Sequence, residues 1–420
     1  MLEMVQMTAR AIVSIALTLL VFFAGASTAR AADPIKVGFS MSLTGAVAPN
    51  GRQLLVALEI WRDDVNAAGG LLGRPVELVY YDDQSNPAGV PGIYSKLLSV
   101  DKVDLLLGPY ATNMAAPAIP AIMNAKKTTI TMLAIGVNRH FNYDRYFSMV
   151  PVGPEGVKAF SRGYFELAAA QQPKPTTVAM IAADAEFAKT AADGAKENAK
   201  ALGFSIIYDR SYPPGTVDFG PVMRAVQAAN ADLVFVAAYP PDTVGIVRAA
   251  REIGLTAKMF GGTMVGLLAT PLKAQLGPAA NNIVIMESFV PGFDFPGLRE
   301  ALAKYRERAK GQQIDPFGYG YVPFGYAAGQ ILAQAVTATK SLDHEQIAKY
   351  IHATSFNTVA GEIAFGKDGE WTKPRTVFSQ FQGVEPGNVE QFRDGSKQPV
   401  LWPPEYRNGT LIYPFAEAKR

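Results

Sequence analysis

Short apolar runs alternate with segments of helical periodicity along most of the chain, beginning near residue 35. In the first part of the chain, the apolar runs predict strands and the segments between them predict helices. Strands are expected at 35–43, 76–83, 103–110 and 128–134, and helices at 52–67, 87–99 and 112–126. Repeated strand–helix–strand units are typical of a parallel sheet that is covered by helices on both faces.

The pattern restarts after Pro151–Pro154, a stretch whose prolines and glycine suit a crossing between domains. Strands are predicted there at 177–183, 204–212, 232–239 and 258–261, and helices at 186–202, 219–229 and 243–253. A Pro-Gly corner at 291–292 indicates that the chain then crosses back to the first lobe, with helices at 296–310 and 326–339. The order of elements predicts an α/β protein of two similar lobes.

Composition agrees with a folded protein and gives little support for a nucleic-acid partner. The chain has 420 residues, of which 49% are apolar, enough to fill the cores of two or three domains. Lys and Arg total 39 against 37 Asp and Glu, and the basic residues are scattered rather than grouped in runs. We therefore predict no nucleic-acid binding.

The first 31 residues differ from the rest of the chain. Arg10 precedes an unbroken apolar run, 11–24, and small residues follow up to Ala31. The run is shorter than the roughly 20 residues that span a bilayer, so a signal peptide at 1–31, cleaved after Ala31, is favoured over a membrane anchor. Because the chain has no cysteine, no lipid-modified cysteine can tether it. We predict a soluble protein of the Gram-negative periplasm.

The sequence lacks the patterns that enzyme chemistry would need. The loop after the first strand, 42–51, does not have the G-x-G-x-x-G spacing of a dinucleotide site, and the chain contains neither a P-loop nor a G-x-S-x-G elbow. The histidines are His140, His344 and His352, and the last two are expected to be solvated on a surface helix. We therefore predict no enzyme activity, no metal and no cofactor.

Two stretches carry a resemblance to a known family. The first strand, Ile35-Lys36-Val37-Gly38, leads to Leu43-Thr44-Gly45, and residues 66–76 read N-A-A-G-G-L-L-G-R-P-V. These stretches closely resemble the periplasmic leucine/isoleucine/valine-binding proteins of ABC importers. The resemblance implies a monomer with two Rossmann-like lobes, the type I periplasmic binding protein fold, joined by a three-segment hinge. It also implies no catalysis, a ligand trapped in the interlobe cleft by hinge closure, and delivery to an inner-membrane permease.

Together, the pattern and the resemblance divide the mature chain into two lobes. The first lobe is expected to comprise 32–151 plus 291–358, and the second lobe 152–290 plus 359–420. The tail from Trp371 is rich in Pro, Gly and Gln and is expected to add one or two irregular strands to the second lobe.

By the same resemblance, the ligand-binding residues follow the strand ends. Thr112 matches a hydroxyl residue that helps to hold the ligand carboxylate, and unpaired amides at a helix start favour an anion. Thr112 and Asn113 are also good helix-capping types, so a purely structural role stays open for either side chain. After the fourth strand the match is poor, so one carboxylate contact is lost or comes from the backbone. The first-lobe candidates are Asn50, Tyr110, Ala111, Thr112, Asn113, Leu133, Ala134 and Ile135.

The sharper departure from the family lies in Gly261–Gly266. Amino-acid binders carry there an acid that pairs with the α-ammonium of the ligand, whereas aligning the final Val-Gly puts Thr263 in that place. A buried ammonium without a counter-charge is unfavourable by several kcal/mol. Phe187 and Tyr239 match positions where the family places aromatic rings against the ligand. We predict a small carboxylic acid without an α-ammonium, favouring the benzoates or hydroxycinnamates bound by the family branch that 141–151 resembles.

Other interpretations stay open at this point. A branched-chain amino acid would require another acid, Glu287 or Asp242, to reach its ammonium, and a small neutral amide is a further ligand class. Tyr319 and Tyr321, in an aromatic-rich stretch, either pack under the first lobe or line the cleft mouth. The protein could also report its ligand through a membrane partner as a sensor subunit, or be a hydrolase that reuses the fold.

Overall fold

The computed structural model describes residues 33–415, and the predicted signal peptide, 1–31, lies outside them. Two α/β lobes are present, as predicted, and each has its own sheet and its own apolar core. Among the helices of the described residues, none combines the length and the apolar character needed to cross a lipid bilayer.

The first lobe is built on a five-stranded parallel sheet. Its strands are β1 (Ile35–Met41), β2 (Val76–Asp82), β3 (Leu105–Tyr110), β4 (Thr129–Met132) and β5 (Tyr146–Ser148), in the order β2-β1-β3-β4-β5. The helices that follow the first four strands are α1 (Ala48–Ala67), α2 (Val90–Ser99), α3 (Thr112–Asn124) and α4 (Asn138–Phe141). All six residues of β3 are buried, as expected for a central strand with both faces covered.

The next segment builds the parallel part of the second sheet. Its strands are β6 (Thr177–Ala183), β7 (Ser205–Tyr212), β8 (Leu233–Ala238), β9 (Met259–Met264) and β10 (Val284–Glu287). Its helices are α5 (Arg162–Ala169), α6 (Glu186–Ala201), α7 (Gly220–Ala229), α8 (Pro240–Glu252) and α9 (Thr270–Leu276). The first four of these strands and three of the helices lie close to their predicted positions, whereas α5 and α9 lie where no element is predicted.

The last segment returns to the first lobe and then completes the second. It contains α10 (Leu298–Ala309), α11 (Val322–Thr339), α12 (His344–Ala353), β11 (Phe356–Thr358), β12 (Gly361–Ile363), β13 (Val377–Gln380) and β14 (Val400–Trp402). Because β13 pairs antiparallel with β10, and β14 with β13, the second sheet has the order β14-β13-β10-β9-β8-β6-β7. The predicted addition of irregular strands from the tail to the second lobe is confirmed.

The third crossing between the lobes lies later in the chain than the predicted boundary at 358. Val359, Phe365 and Trp371 pack in the core of the first lobe, whereas Phe378 packs in the core of the second. The reason is the antiparallel hairpin of β11 and β12, which holds the chain against the first lobe. The crossing therefore follows Trp371.

His344 is buried, so the prediction of a solvated side chain is wrong for this residue. Its Nδ1 accepts a hydrogen bond from the Thr128 N–H at 3.0 Å, and its Nε2 lies 2.9 Å from the Asp104 carbonyl oxygen. Burial lowers the pKa of His344 to about 4, so the ring is neutral and its Nε2–H donates to that carbonyl. This histidine joins α12 to the segments that lead into β3 and β4.

Candidate functional site

A cavity lies between the lobes, where loops and helix starts follow the strand ends of both sheets. Its volume is about 640 Å³, including space that opens to solvent. Its lining contains no Asp, Glu, Lys, Arg or His, and residues 33–415 contain no group of three His, Cys, Asp or Glu suited to a metal ion. The lining residues are Val47, Tyr110, Ala111, Leu133, Val150, Phe160, Phe187, Tyr239, Val265, Leu268, Met286, Ser288, Phe289, Gly320 and Tyr321.

Tyr110 ends β3 and lines the cavity. Its hydroxyl oxygen accepts a hydrogen bond from Asn50 Nδ2 at 2.9 Å, and its ring packs edge-to-face on that of Tyr321 at 5.7 Å. Burial raises the pKa of both tyrosines, so both hydroxyls are neutral near pH 7. Asn50 is fully buried behind Tyr110 and does not itself line the cavity.

The start of α3 follows β3 after a single residue. Ala111 has a φ of 70°, a left-handed conformation that turns the chain sharply between strand and helix. Within residues 33–415, the amides of Thr112 and Asn113 donate no hydrogen bond, as expected for the first turn of a helix. These two amides lie at the positive end of the helix dipole, where they can donate hydrogen bonds to an anion.

The Thr112 side chain has a structural role, but this role is not the helix capping that its residue type suggested. Its Oγ1 accepts a hydrogen bond from the Ile135 N–H at 3.0 Å, which ties the start of α3 to the loop after β4. In that loop Leu133 lines the cavity, while Ala134 and Ile135 are buried and do not. The hydroxyl of Thr112 therefore positions the wall and does not line it.

Asn113 joins the two lobes. Its Oδ1 accepts hydrogen bonds from the Phe187 N–H at 3.0 Å and from the Tyr239 hydroxyl at 2.8 Å. Phe187 lies in the first turn of α6 and Tyr239 directly before α8, so both partners belong to the second lobe. The Phe187 and Tyr239 rings meet edge-to-face at 5.7 Å, and Phe160 packs on Phe187 at 6.1 Å. One side of the cavity is thereby closed by aromatic rings.

Thr263 does not line the cavity. Strand β9 runs to Met264, beyond its predicted end at 261, so Thr263 pairs with Ala237 inside the sheet. Thr263 is 1% exposed, and its hydroxyl has no hydrogen-bond partner among the described residues. The first residue after the strand is Val265, which does line the cavity. The prediction that Thr263 faces the ligand is therefore wrong, and the residue at this strand end that lines the cavity is the apolar Val265.

The two acids that an amino-acid ligand would need are engaged elsewhere. Glu287 accepts hydrogen bonds from Ser379 and Gln398 inside the second lobe. The residues before and after Glu287 line the cavity, so its own side chain points to the opposite face. Asp242 accepts a hydrogen bond from the Tyr212 hydroxyl at 3.1 Å. Neither acid lines the cavity.

The structure brings some of the predicted residues together and adds others. The candidates that line the cavity are Tyr110, Ala111, Leu133, Phe187 and Tyr239. Those that do not are Asn50, Thr112, Asn113, Ala134, Ile135 and Thr263. Sequence reasoning missed Val47, Val150, Phe160, Val265, Leu268, Met286, Ser288, Phe289 and Gly320, and it left Tyr321 open. Met286 to Phe289 come at a strand end, as Tyr110 does, so the same rule could have found them.

Comparison with known proteins places this geometry in a family. Residues 34–382 match the family model described as periplasmic binding protein. The leucine-, isoleucine-, valine-, threonine- and alanine-binding protein of Pseudomonas aeruginosa is 24% identical over 346 residues, which are 82% of this chain and 89% of that protein.

Two solved structures share the fold. A solute-binding protein of an ABC transporter from R. palustris, in complex with 4-hydroxybenzoate, has a TM-score of 0.73 at 21% identity and covers 85% of this chain and 95% of its own. A branched-chain amino acid transporter substrate-binding protein from Streptococcus pneumoniae, in complex with isoleucine, has a TM-score of 0.71 at 20% identity and covers 88% and 100%. The architecture is the type I periplasmic binding protein fold, and the chain belongs to the periplasmic binding protein family.

Proposed function

We propose that this protein is the solute-binding component of an ABC importer in the Gram-negative periplasm, and that it delivers a small carboxylic acid to an inner-membrane permease. The ligand has no α-ammonium group and is an aromatic acid of the benzoate or hydroxycinnamate type. One observation carries the proposal: the cavity is mostly apolar, contains no acidic side chain and adjoins unpaired amides at the start of α3.

The lining favours a carboxylic acid over an amino acid. An α-ammonium group in this cavity would have no counter-charge, and burying it is unfavourable by several kcal/mol. A carboxylate can accept hydrogen bonds from the amides of Thr112 and Asn113 and from neutral hydroxyls such as those of Tyr110 and Ser288. Helix-start amides suit this purpose because the helix dipole places partial positive charge there.

Aromatic rings supply much of the cavity wall. Stacked or edge-to-face ring pairs contribute about 0.5–1.5 kcal/mol each beyond the burial of apolar area. A flat ring between Tyr110 of the first lobe and Phe187 of the second would make such contacts on both sides. The wall rings are Tyr110, Phe160, Phe187, Tyr239, Phe289 and Tyr321.

A branched-chain amino acid is the second candidate ligand, because the Pseudomonas aeruginosa relative is named for such ligands. The two structural neighbours hold 4-hydroxybenzoate and isoleucine, so the shared fold accommodates either class. The lining residues must therefore decide between them. An amino acid would need a counter-charge that neither Glu287 nor Asp242 supplies, since both are hydrogen-bonded inside the second lobe.

The test is a thermal-shift and calorimetric panel of leucine, benzoate, 4-hydroxybenzoate, a hydroxycinnamate and benzamide. A ligand at about one hundred times its dissociation constant stabilises the folded protein by about 2.7 kcal/mol, a readily detected shift. We expect at least one aromatic acid to bind and leucine to give no shift. Tight binding of leucine with no response to any aromatic acid would overturn the ligand proposal, and binding of benzamide alone would favour a neutral amide.

The role in import has its own tests. Copurification with a permease supports import, whereas copurification with a kinase would indicate a sensor subunit. Turnover of a bound acid would indicate a hydrolase. A mature chain that begins at Ala32 in the periplasmic fraction, with the mass of a monomer in light scattering, is the result expected for the exported protein.

A further inference from the structure

Asn50 is fully buried, yet part of its polar side chain has no partner. It lies in the first turn of α1 and is 0% exposed. Its Nδ2 donates to the Tyr110 hydroxyl oxygen at 2.9 Å, whereas its Oδ1 has no hydrogen-bond partner among the described residues. Leaving a buried acceptor unpaired is unfavourable, and a leucine of similar size at this position would avoid that penalty. The amide is therefore a poor choice for folding alone.

The bond from Asn50 limits what Tyr110 can do in the cavity. A phenol hydroxyl has one hydrogen to donate and two lone pairs with which to accept. The Asn50 amide donates to one lone pair of the Tyr110 hydroxyl oxygen, so the hydroxyl hydrogen of Tyr110 points away from Asn50. Tyr321 packs against Tyr110 edge-to-face at 5.7 Å, and among residues 33–415 the Tyr110 hydroxyl donates no hydrogen bond. The remaining direction for the Tyr110 hydrogen is the cavity that its ring lines.

We propose that Asn50 is a positioning residue that makes Tyr110 a hydrogen-bond donor towards the ligand. The site then selects ligands whose polar end only accepts hydrogen bonds, as a carboxylate does, over ligands whose polar end also donates, as a carboxamide does. This inference rests on the proposed function, because it takes a carboxylic acid as the ligand. It assigns part of the selectivity to a residue that lies behind the cavity wall.

The test compares benzoate with benzamide, which have nearly the same shape. Calorimetry gives both dissociation constants for the wild-type protein and for Asn50→Leu, and their ratio is the readout. Without the amide donor, the Tyr110 hydroxyl can turn its hydrogen away from the ligand. We expect benzoate affinity to fall about tenfold and benzamide affinity about twofold or less. A purely structural role for Asn50 would weaken both ligands alike, and an unchanged ratio would overturn the proposal.

Three further variants complete the design. In a Tyr110→Phe background, which has no hydroxyl to position, Asn50→Leu should no longer change the ratio. Gln53→Leu removes another buried amide of α1, one that bonds to the Pro49 carbonyl, and should keep the wild-type ratio. Asn50→Ala also removes the amide hydrogens, adds no charge and should shift the ratio in the same direction as Asn50→Leu, so it serves if the leucine variant does not fold.

The outcomes separate this inference from the proposed function. If the wild-type protein binds benzoate and the ratio does not respond to changes at Asn50, the inference fails and the function stands. If the protein binds leucine and no aromatic acid, the proposed function fails. The same variants are then tested with leucine and leucinamide. The response of the ratio of these two dissociation constants again decides whether Asn50 orients the hydroxyl hydrogen of Tyr110.

Discussion

The two walls of the cavity differ in how they can hold a ligand. The first-lobe wall offers the hydroxyls of Tyr110 and Tyr321 and lies beside the unpaired amides at the start of α3. The second-lobe wall consists mainly of apolar side chains, namely Val150, Phe160, Phe187, Val265, Leu268 and Met286. We infer that the first lobe recognises the polar end of the ligand, whereas the second lobe supplies apolar area and shape.

The difference arises from what the helix starts of each lobe already bind. In the first lobe, the amides of Thr112 and Asn113 have no acceptor within the described part of the chain. In the second lobe, the Phe187 N–H and the Tyr239 hydroxyl both donate to Asn113 Oδ1. A first-lobe side chain thus occupies polar groups that the second lobe would otherwise present to a ligand. Closure of the cleft leaves one polar wall and one apolar wall.

A charge placed on the apolar wall should have the largest effect. Val265→Glu brings a carboxylate into the cavity beside that of a bound benzoate, and like charges in a desolvated site repel by several kcal/mol. We expect the dissociation constant for benzoate to rise more than about a hundredfold in calorimetry. Val265→Gln has nearly the shape of the glutamate variant without its charge and should raise the dissociation constant for benzoate less than about tenfold. Equal losses in the two variants would contradict an apolar wall that faces an anion.

Removal of a ring from the same wall should have the next largest effect. Phe187→Ala deletes the ring that packs on Phe160 and Tyr239 and lines the cavity. Benzoate affinity should fall about tenfold to fiftyfold, because buried area and ring contacts are lost together. Phe187→Leu keeps most of the apolar area and should lose only about threefold. Wild-type affinity in the alanine variant would mean that the second-lobe rings do not hold the ligand.

The residues that sequence reasoning placed on these walls share one property: they follow strand ends. Tyr110 and Tyr239 come at the ends of well-marked apolar runs, and Phe187 follows such a run closely. In an open parallel sheet, ligands bind at the carboxyl ends of the strands. This rule can be applied without knowing the contacts of distant parts of the chain. Local patterns therefore predicted the two sheets, and the strand ends together with the family resemblance pointed to Tyr110, Phe187 and Tyr239.

Thr263 was misplaced because the length of β9 depends on its neighbour. Alignment of the final Val-Gly with the family placed Thr263 at the ligand, and the predicted strand ended at Gly261, before a second glycine, a residue disfavoured in strands. Pairing with β8 nevertheless continues to Met264, which puts Thr263 inside the sheet and Val265 at the cavity. Pairing with the neighbouring strand overrode the local preference, and a shift of two residues changed which side chain lines the cavity.

Other features depend on partners that are distant in sequence. The apolar period predicts a start for α11 at 326, but the helix begins at Val322 with a proline in its first turn, where a missing amide hydrogen breaks no helical bond. That earlier start follows directly on Tyr321, which lines the cavity. His344 is buried because Thr128 and Asp104 bond both of its ring nitrogens. Helical periodicity alone contains no information about these contacts.

Breaking the link between the walls should weaken all ligands by a smaller and similar factor. Asn113→Ala removes the acceptor of two interlobe hydrogen bonds, so the closed form becomes less populated. Affinity falls with the closed fraction, by about threefold to tenfold. Asn138→Ala is the matched control, because it removes an amide that bonds to Tyr143 within the first lobe, and it should keep wild-type affinity. A loss confined to one ligand would instead mark Asn113 as a direct contact.

The smallest expected effect is that of pH on affinity. The walls carry no acid, base or histidine, and burial raises the pKa of Tyr110 and Tyr239. The charge of both walls therefore stays the same from about pH 6 to about pH 9. Benzoate is itself ionised throughout this range, so its dissociation constant in calorimetry should be constant. A change of more than about threefold would place a titrating group on one wall.

Stability should nevertheless change with pH, which separates folding from binding. Glu370 is buried with both carboxylate oxygens unpaired among the described residues, and burial raises its pKa from 4.5 to about 8. The folded state keeps a proton that the unfolded chain releases, so the free energy of unfolding falls as pH rises from 4.5 towards 8. Glu370→Gln should remove on the order of 1–3 kcal/mol of this fall in chemical denaturation and leave benzoate affinity unchanged. If affinity followed stability, the polar wall would depend on this buried carboxyl.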